Sequence, residues 1–422
     1  MERNSTESSE TSNQASSNEM QHETQQKITW GRLRGIVNKS LKLLDLNNEE
    51  FSVGRGRDND LVLTLDELPK HSLILVSKVH FIIELANCDL KSPAYIQDAS
   101  LNGTFVNREK IGQNKRRILN DGDVISLSQT ADNKFEFMDF RLPAELAETY
   151  NEVSELGAGG FGLVRLVKDI RTGQQLAMKI VKKKKVSRRR RRAPEINEVN
   201  IMKNLTHPCV VRMHDAVENP KTVYILLEVM AGGDLLERIV SNTYLSEELS
   251  KLYFYQLCHA IKYLHDRNII HRDLKLENIL LETKDEETLL KVCDFGLSRV
   301  VRDGVILVYT KKVDIWSLGV VLYCCLSGSW PFGSINGSPF TDQIEKGEFT
   351  YDSPSWEEVS HDAKLLINEI FTVDPKNRPS IIDLLQNRWF CDAPMQLKAK
   401  RLMKLESVAS EESVLPIQRW SV

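Results

Sequence analysis

The chain reads as multidomain, an all-β sandwich followed by a two-lobed α+β domain. Three observations predict this: short β-type runs dominate residues 28–141, strands and then helical periodicity follow, and 422 residues with 41% apolar content can fill more than one core. Residues 1–27 are so rich in Ser, Thr, Asn, Gln and Glu that they cannot bury enough surface to offset their ordering entropy, which predicts a disordered tail. From 28 to 141, runs such as FSVG, HFIIEL, AYIQDA, VISLS and FEFMDF alternate with turn signals such as RDND, NG and NDGD, the texture of a β-sandwich. A brief link at 142–149 leads into a domain at 150–390. Its first part, 150–230, holds strand-like YNEVSELGAGGFGLVRLVKD and QQLAMKIVKK and the amphipathic PEINEVNIMKNL. Its second part, 231–390, turns helical, as in SEELSKLYFYQLCHAIKYLHD, with apolar residues at three-to-four spacing. A β-rich lobe followed by a helical one predicts a cleft between them. The tail 391–422 begins as a basic amphipathic helix and carries no functional signal.

A net charge of -3, from 56 basic and 59 acidic residues, gives no global pull toward nucleic acid or membrane, and neither is expected as a partner. Seven scattered cysteines without a CxxC pair fit a reducing compartment. The first 26 residues hold only Met1, Ala15 and Met20 as apolar residues, which argues against a signal or anchor there, and VDIWSLGVVLYCCL is too short for a bilayer span and carries Asp314. It reads as a buried core helix.

The chemistry concentrates in the second domain. GAGGFG, Gly157 to Gly162, lies between strand-like flanks, as a hairpin covering phosphates with unhindered backbone N–H groups requires, although glycines also make ordinary turns. Lys179 sits in the apolar strand LAMKIV, where an ammonium is costly to bury alone, and Glu198 on the following helix is a candidate partner. IIHRDLKLENILL places Asp273 five residues before Asn278 with Lys275 between them, and KVCDFG adds Asp294 sixteen residues later. Phosphoryl transfer needs a carboxylate beside the attacking hydroxyl, oxygen ligands for Mg2+ and cations on the moving phosphate. Asp273, Asn278, Asp294 and Lys179 supply these groups in order.

Residues 150–390 therefore resemble a eukaryotic protein kinase domain, and HRDLKLEN is similar to the serine/threonine class. The resemblance implies binding of ATP and Mg2+ and protein substrates. It implies a glycine loop from Leu156 to Val164 with Gly157, Gly159 and Gly162, the pair Lys179 and Glu198, and an adenine hinge at Glu228 to Met230 behind gatekeeper Leu227. It also implies Asp273 as base, Lys275 on the phosphate, Asn278 and Asp294 on the metal, and Asp234 as an acidic reader of basic substrates.

In the front domain Arg55 follows FSVG, Ser77, Lys78 and His80 lie in LVSKVHF, and Asn102 and Gly103 lie in SLNGTFVN. A peptide phosphate needs an arginine fork, a hydroxyl and amide donors on loops at one end of a rigid scaffold. The three segments in this order resemble a forkhead-associated (FHA) domain, a reader of phosphothreonine peptides. That likeness implies Arg55, Ser77 and Lys78 on the phosphate, Asn102 on the peptide backbone, and His80 and Gly103 shaping the site. The two domains together resemble the DNA-damage effector kinases of the checkpoint kinase two family. This implies a nuclear location, a homodimer formed through the FHA domain and a phosphorylated tail, and an upstream damage kinase acting at Thr24, which Gln25 follows.

One stretch departs from the family. Only seventeen residues, 297–313, separate Gly296 from Asp314, with no phosphorylatable activation loop, no GT docking turn and no APE triplet. The expectation is a kinase shape without the usual dock for a protein substrate, from a splice variant or a gene-model error. Arg378, at the position that normally pairs with the APE glutamate, is expected to weaken the lobe unless it reaches water or a substitute, since stranding a buried charge costs about 3–5 kcal/mol. The run KKKKVSRRRRR, Lys182–Arg192, reads first as a solvated loop and second as a nuclear import signal.

Overall fold

Charged and apolar positions in the first unit sort themselves onto two sheets. The computed structural model describes residues 29–36, 43–86, 92–129, 134–159, 162–183, 194–301, 307–333 and 340–404. The expected tail with Thr24, residues 184–192 of the basic run and residues 405–422 lie outside them. The chain divides into two units, Met1–Glu148 and Thr149–Val422.

The first unit contains β1 (Gly31–Gly35), β2 (Leu44–Leu46), β3 (Glu50–Gly54), β4 (Leu61–Val62), the short α1 (Lys70–Leu73), β5 (Phe81–Leu85), β6 (Ala94–Asp98), β7 (Phe105–Val106), β8 (Glu109–Lys110), β9 (Arg116–Leu119), β10 (Val124–Ser126), β11 (Lys134–Asp139) and α2 (Ala144–Ala147). One sheet runs β2-β1-β11-β10-β7-β8 and the other β4-β3-β5-β6-β9. In β5 and β6 alternate side chains are buried, the period of a half-covered strand. Leu33, Val53, Phe81, Ile83, Ile96, Ile125, Phe135 and Phe137 form the core between the sheets, each large apolar side chain contributing about 1.5–3 kcal/mol on burial. Both β1 and β9 carry arginines; β1 lacks that alternation, with Gly31, Arg32 and Leu33 all buried, whereas β9 keeps it, exposed Arg116 and Ile118 alternating with half-buried Arg117 and buried Leu119. Cross-strand carboxylates make these arginines tolerable: Arg32 pairs with Asp45, Arg34 with Glu136 and Arg116 with Glu84.

The second unit opens with an antiparallel sheet of order β12-β13-β14-β16-β15, made of β12 (Tyr150–Gly159), β13 (Gly162–Asp169), β14 (Gln175–Lys182), β15 (Met213–Glu218) and β16 (Thr222–Leu227), with α3 (Pro194–Met202) between β14 and β15. The helical lobe follows with α4 (Leu235–Asn242), α5 (Glu247–Asp266), two hairpin strands β18 (Ile279–Leu281) and β19 (Leu290–Val292) after β17 (Ile269–Ile270), then β20 (Arg299–Val300), α6 (Leu307–Ser327), α7 (Phe340–Lys346), α8 (His361–Ile370), α9 (Ile381–Leu385) and α10 (Ala393–Leu402). α5 begins where Ser246 accepts from the Leu249 N–H and acidic Glu247 and Glu248 meet the positive helix end. It packs against α6, α9 and α10 through buried Leu252, Phe254, Leu257, Ile261 and Leu264. Among the described residues no helix is long and apolar enough to cross a membrane.

The described parts of the shortened stretch, 297–301 and 307–313, join regular elements. Arg299 and Val300 pair with Ile270 and Ile269, and α6 begins at Leu307, seven residues before Asp314. Residues 302–306 lie outside the described residues. Lys311 Nζ donates to the His265 carbonyl at 2.5 Å and to Asn268 Oδ1 at 3.1 Å, so the extended start of α6 is tied to the end of α5.

Arg378 has the substitute partners that the expectation allowed for. Its guanidinium donates to the carbonyls of Lys312 (2.7 Å), Thr372 (2.9 Å) and Val373 (3.1 Å) and lies 4.7 Å from the centre of the Trp316 ring. Oriented carbonyl dipoles and an aromatic face take the place of the family glutamate.

Candidate functional site

Two elements of the β-rich lobe and one of the helical lobe converge on a single ammonium. Lys179 stands in β14 opposite Val164 on one side and Ile225 on the other. Its Nζ lies 2.8 Å from Glu198 Oε1 on α3 and 3.0 Å from Asp294 Oδ1 after β19. Burial opposes the charge on Lys179, but the two carboxylates outweigh it and raise its pKa. Burial likewise pushes the Asp294 carboxyl up, and Lys179 and the Gly296 N–H more than offset it, so its pKa is lowered. Both groups are therefore held charged at neutral pH.

Asp294 has a φ of 60°, and its Oδ1 accepts from the Gly296 N–H at 3.2 Å. The neighbouring Phe295 is fully buried, its ring 5.2 Å from that of His271 and edge-on. Burial keeps His271 neutral, with Nε2 donating to the Cys293 carbonyl at 3.0 Å and Nδ1 accepting from the Asp273 N–H at 3.3 Å. Asn278 donates from Nδ2 to the Asp273 carbonyl (2.7 Å) and to its Oδ2 (3.0 Å), which leaves the Asn278 Oδ1 without a hydrogen bond among the described residues. Lys275 Nζ stands 3.7 Å from Asp273 Oδ2. Thus Asp273, Lys275, Asn278, Asp294, Lys179 and Glu198 are brought together.

Asp314 holds this arrangement from below, and the motif reading did not assign it a role. Fully buried on α6, it accepts from the N–H groups of His271 (3.0 Å) and Arg272 (2.9 Å) and from His265 Nε2 (2.8 Å). The available signal was an aspartate inside an otherwise apolar run, which needs partners if buried.

The roof is the β12–β13 hairpin. Gly157 pairs with Val164 and Gly159 with Gly162; Gly160 and Phe161 lie outside the described residues. A Cβ on Gly157 would meet nothing within 4 Å, whereas one on Gly162, at φ 152°, would lie 2.2 Å from the Ile180 carbonyl oxygen. One glycine keeps space open and the other permits close strand approach. Leu156 beside them is half exposed. At the far end, Leu227 closes β16, and Glu228 is turned to Lys291 Nζ (2.7 and 2.8 Å) and the Arg212 N–H (2.7 Å). Its side chain braces the hinge, leaving backbone groups for a ligand, and the Met230 N–H has no hydrogen-bond partner among the described residues. Asp234 caps α4, accepting from the Glu237 N–H at 2.8 Å, so one of its oxygens is already committed. The paired cation, two oxygen ligands near Asp273, an open glycine and a free hinge N–H fit a nucleoside triphosphate with a divalent ion.

In the first unit, three loops are laced at one end of the sandwich. The Arg55 N–H donates to the Ser77 carbonyl (3.0 Å) and the Gly56 N–H to that of Lys78 (2.9 Å). Asn59, missed in the motif reading, donates to the Lys78 and Gly56 carbonyls at 2.7 Å each. Ser77 Oγ accepts from the Leu101 N–H at 3.0 Å, so its own proton remains to be given, and Asn102 Nδ2 donates to the Leu75 carbonyl at 2.8 Å. His80 is fully buried, and its Nδ1 accepts from the Ser77 N–H at 3.1 Å, a shaping contact. Gly103 turns at φ 102°. Its loop is held by Asp98, whose Oδ1 accepts from the Ser100 N–H (3.0 Å), Ser100 Oγ (2.6 Å) and Thr104 Oγ1 (2.9 Å). Asp98 too was missed, since a strand-end aspartate looks like ordinary turn chemistry.

Comparison with known families agrees with both halves. A protein kinase domain matches residues 150–390 and an FHA domain residues 51–128. The ovarian-specific serine/threonine-protein kinase Lok of Drosophila melanogaster is 54% identical, with 95% of each chain covered. Serine/threonine-protein kinase chk-2 of Caenorhabditis elegans is 32% identical, over 87% of this chain and 84% of the relative. Serine/threonine-protein kinase cds1 of Schizosaccharomyces pombe is 30% identical, over 82% and 83%. The chain, an FHA domain followed by a protein kinase domain, belongs to the checkpoint kinase 2 family of serine/threonine protein kinases.

Proposed function

We propose that the chain is an ATP- and Mg2+-dependent serine/threonine kinase of DNA-damage checkpoint signalling, acting in the nucleus and guided by an FHA domain that binds phosphothreonine peptides. The observation that carries the catalytic part is the Lys179 ammonium held between Glu198 and Asp294. When bound, ATP supplies the phosphoryl group and Mg2+ offsets its charge. Lys179 and Lys275 steady the phosphates, Asn278 and Asp294 offer oxygens to the ion, and Asp273 takes the proton of the attacking hydroxyl. Gly157, Gly159 and Gly162, between Leu156 and Val164, cover the phosphates. Leu227, Glu228 and Met230 border the base, and Asp234 favours basic substrates. On the front domain, Arg55, Ser77 and Lys78 take the phosphate and Asn102 the peptide backbone. A second copy with a phosphorylated Thr24 is the first partner in this reading.

A second reading, a nucleotide-binding phosphothreonine scaffold impaired in transfer to protein, is favoured by one observation. Strand pairing by Arg299 and Val300 and the early start of α6 use up much of 297–313, where a substrate would dock. The alignment with Lok runs over 453 positions, more than the 422 residues here, so this chain stands opposite at least 31 positions with gaps. Radiolabel transfer from ATP to a serine peptide with basic flanks, against an Asp273→Asn control, separates the two. Label above the control supports the first reading; equal label with retained nucleotide binding establishes the second. A transcript carrying extra codons between 296 and 314 would identify the short form as a splice variant. Loss of phosphothreonine-peptide binding in Arg55→Ala is the expected outcome for the front domain, and unchanged affinity removes that assignment.

A further inference from the structure

Two consecutive residues of α3 meet the segment that follows Asp294. Neighbouring helical side chains point about 100° apart, so Asn197 and Glu198 reach different parts of it. Glu198 faces the start, where a Cβ built on Gly296 would stand 3.6 Å from Glu198 Oε2 and 3.2 Å from Asp294 Oδ1. Asn197 reaches two residues further, and its Nδ2 donates to the Ser298 carbonyl at 2.9 Å. The backbone from 296 to 298 is thereby clasped from the helix.

The same residues are tied on their other side to the catalytic loop. Ser298 is buried, with its N–H donating to the Phe295 carbonyl (3.0 Å) and its Oγ to that of His271 (3.1 Å). Arg272 Nε donates to the Leu297 carbonyl at 2.7 Å, and Arg299 and Val300 pair with Ile270 and Ile269. Residues 297–300 cannot slide without breaking contacts to the loop that carries Asp273. Asn197 joins this fixed edge to α3, and the next residue of α3 is the partner of Lys179. In protein kinases the lysine–glutamate pair needs this helix in place, and a phosphate on the activation loop commonly sets its position. The sequence of 297–313 holds no such loop, and a side-chain amide on the helix makes the connection instead.

We propose that Asn197 is a positioning residue that latches α3 to the shortened segment, so that the Lys179–Glu198 pair is assembled with no phosphate on the chain. The proposal rests on the reading of this site as one for ATP and Mg2+ and deepens it. One net hydrogen bond corresponds to about a two- to tenfold change in an equilibrium, which sets the loss of nucleotide affinity expected when the latch is removed.

The test uses the full chain after phosphatase treatment, with Mg2+ present and binding of a non-hydrolysable ATP analogue followed by calorimetry. Asn197→Ala and Asn197→Asp, the second keeping the shape without the donor, should each weaken binding about two- to tenfold. Asn197→Gln, which keeps the donor, should recover part of the loss. A general loosening of the fold would act in any background, whereas a latch acting through Glu198 does not. In a Glu198→Gln chain, where the ion pair is already gone, Asn197→Ala should therefore change the affinity by less than about twofold. Wild-type affinity in both Asn197→Ala and Asn197→Asp, or an undiminished loss in the Glu198→Gln background, overturns the latch. Binding by the wild type only before phosphatase treatment overturns assembly without phosphate. If the wild type binds the analogue under neither condition, the nucleotide reading of the site fails and the latch falls with it.

Discussion

Replacing Asp314 with Asn should loosen the catalytic loop more than any change to a residue that touches a ligand. The carboxylate is fully buried and takes three donors, with His265 Nε2 and the His271 N–H on Oδ2 and the Arg272 N–H on Oδ1. An amide has one oxygen, so its NH2 must face at least one of those N–H groups. The change removes a hydrogen bond to a charged group, worth about 1.5–3 kcal/mol, and strands a buried donor at about 1–3 kcal/mol. The sum, roughly 2.5–6 kcal/mol, is a large part of the roughly 5–15 kcal/mol that holds a domain folded. Arg272 would also lose the contact that supports its φ of 67°, a conformation that costs about 1–3 kcal/mol. Urea unfolding of the full chain should show the loss in the kinase unit, and hydrogen exchange should quicken at Ile270 to Asp273. The nucleotide affinity should fall with it. If the Asn variant unfolds within about 1 kcal/mol of the wild type, and exchange in the loop is unchanged, the anchoring role of Asp314 is refuted.

The remaining outcomes are smaller and read different parts of the molecule. Arg378→Met leaves three carbonyls without their donor and should cost about 1–3 kcal/mol in urea unfolding; a gain in stability would sink the account of carbonyls standing in for a glutamate. Gly162→Ala places a Cβ 2.2 Å from the Ile180 oxygen at a φ of 152°, so a loss of about 1–3 kcal/mol and weaker nucleotide binding are expected, and an unaltered thermal transition would contradict the crowding. His80 is held neutral because burial, opposed by Asp98 and nearby carbonyls, lowers its pKa below the ordinary 6.5. With a folded-state pKa below the unfolded one, its contribution is fully present above about pH 6.5 and lost as pH falls through the folded value. The thermal midpoint of the front domain should therefore drop as pH goes from 7 to 5, and His80→Gln should flatten that slope; an equal slope in both would exclude His80 as its source.

Much of the kinase site was legible because its chemistry is local. HRDLKLEN and KVCDFG carry their functional groups within a few residues of one another, and the glycines of GAGGFG declare a backbone that needs open space. The sandwich was legible where one sheet face is buried, as in FIIEL and AYIQD, because burial imposes a period of two. GRLRG and RRIL did not declare themselves as strands. Their arginines meet Asp45 and Glu136 on adjacent strands and Glu84 two strands away across β6, and no local window contains both partners.

The order of the two domains, the phosphoryl-transfer groups and the shortness of 297–313 were determined by the sequence alone. Tertiary structure decided how the shortened segment is accommodated: Arg299 and Val300 join a strand pair, α6 starts early, and Arg378 turns to carbonyls. Covalent neighbours set what a residue can do. Which partner satisfies a buried charge depends on groups brought together from distant parts of the chain, and Asp314 and Arg378 acquired their surroundings only in that way.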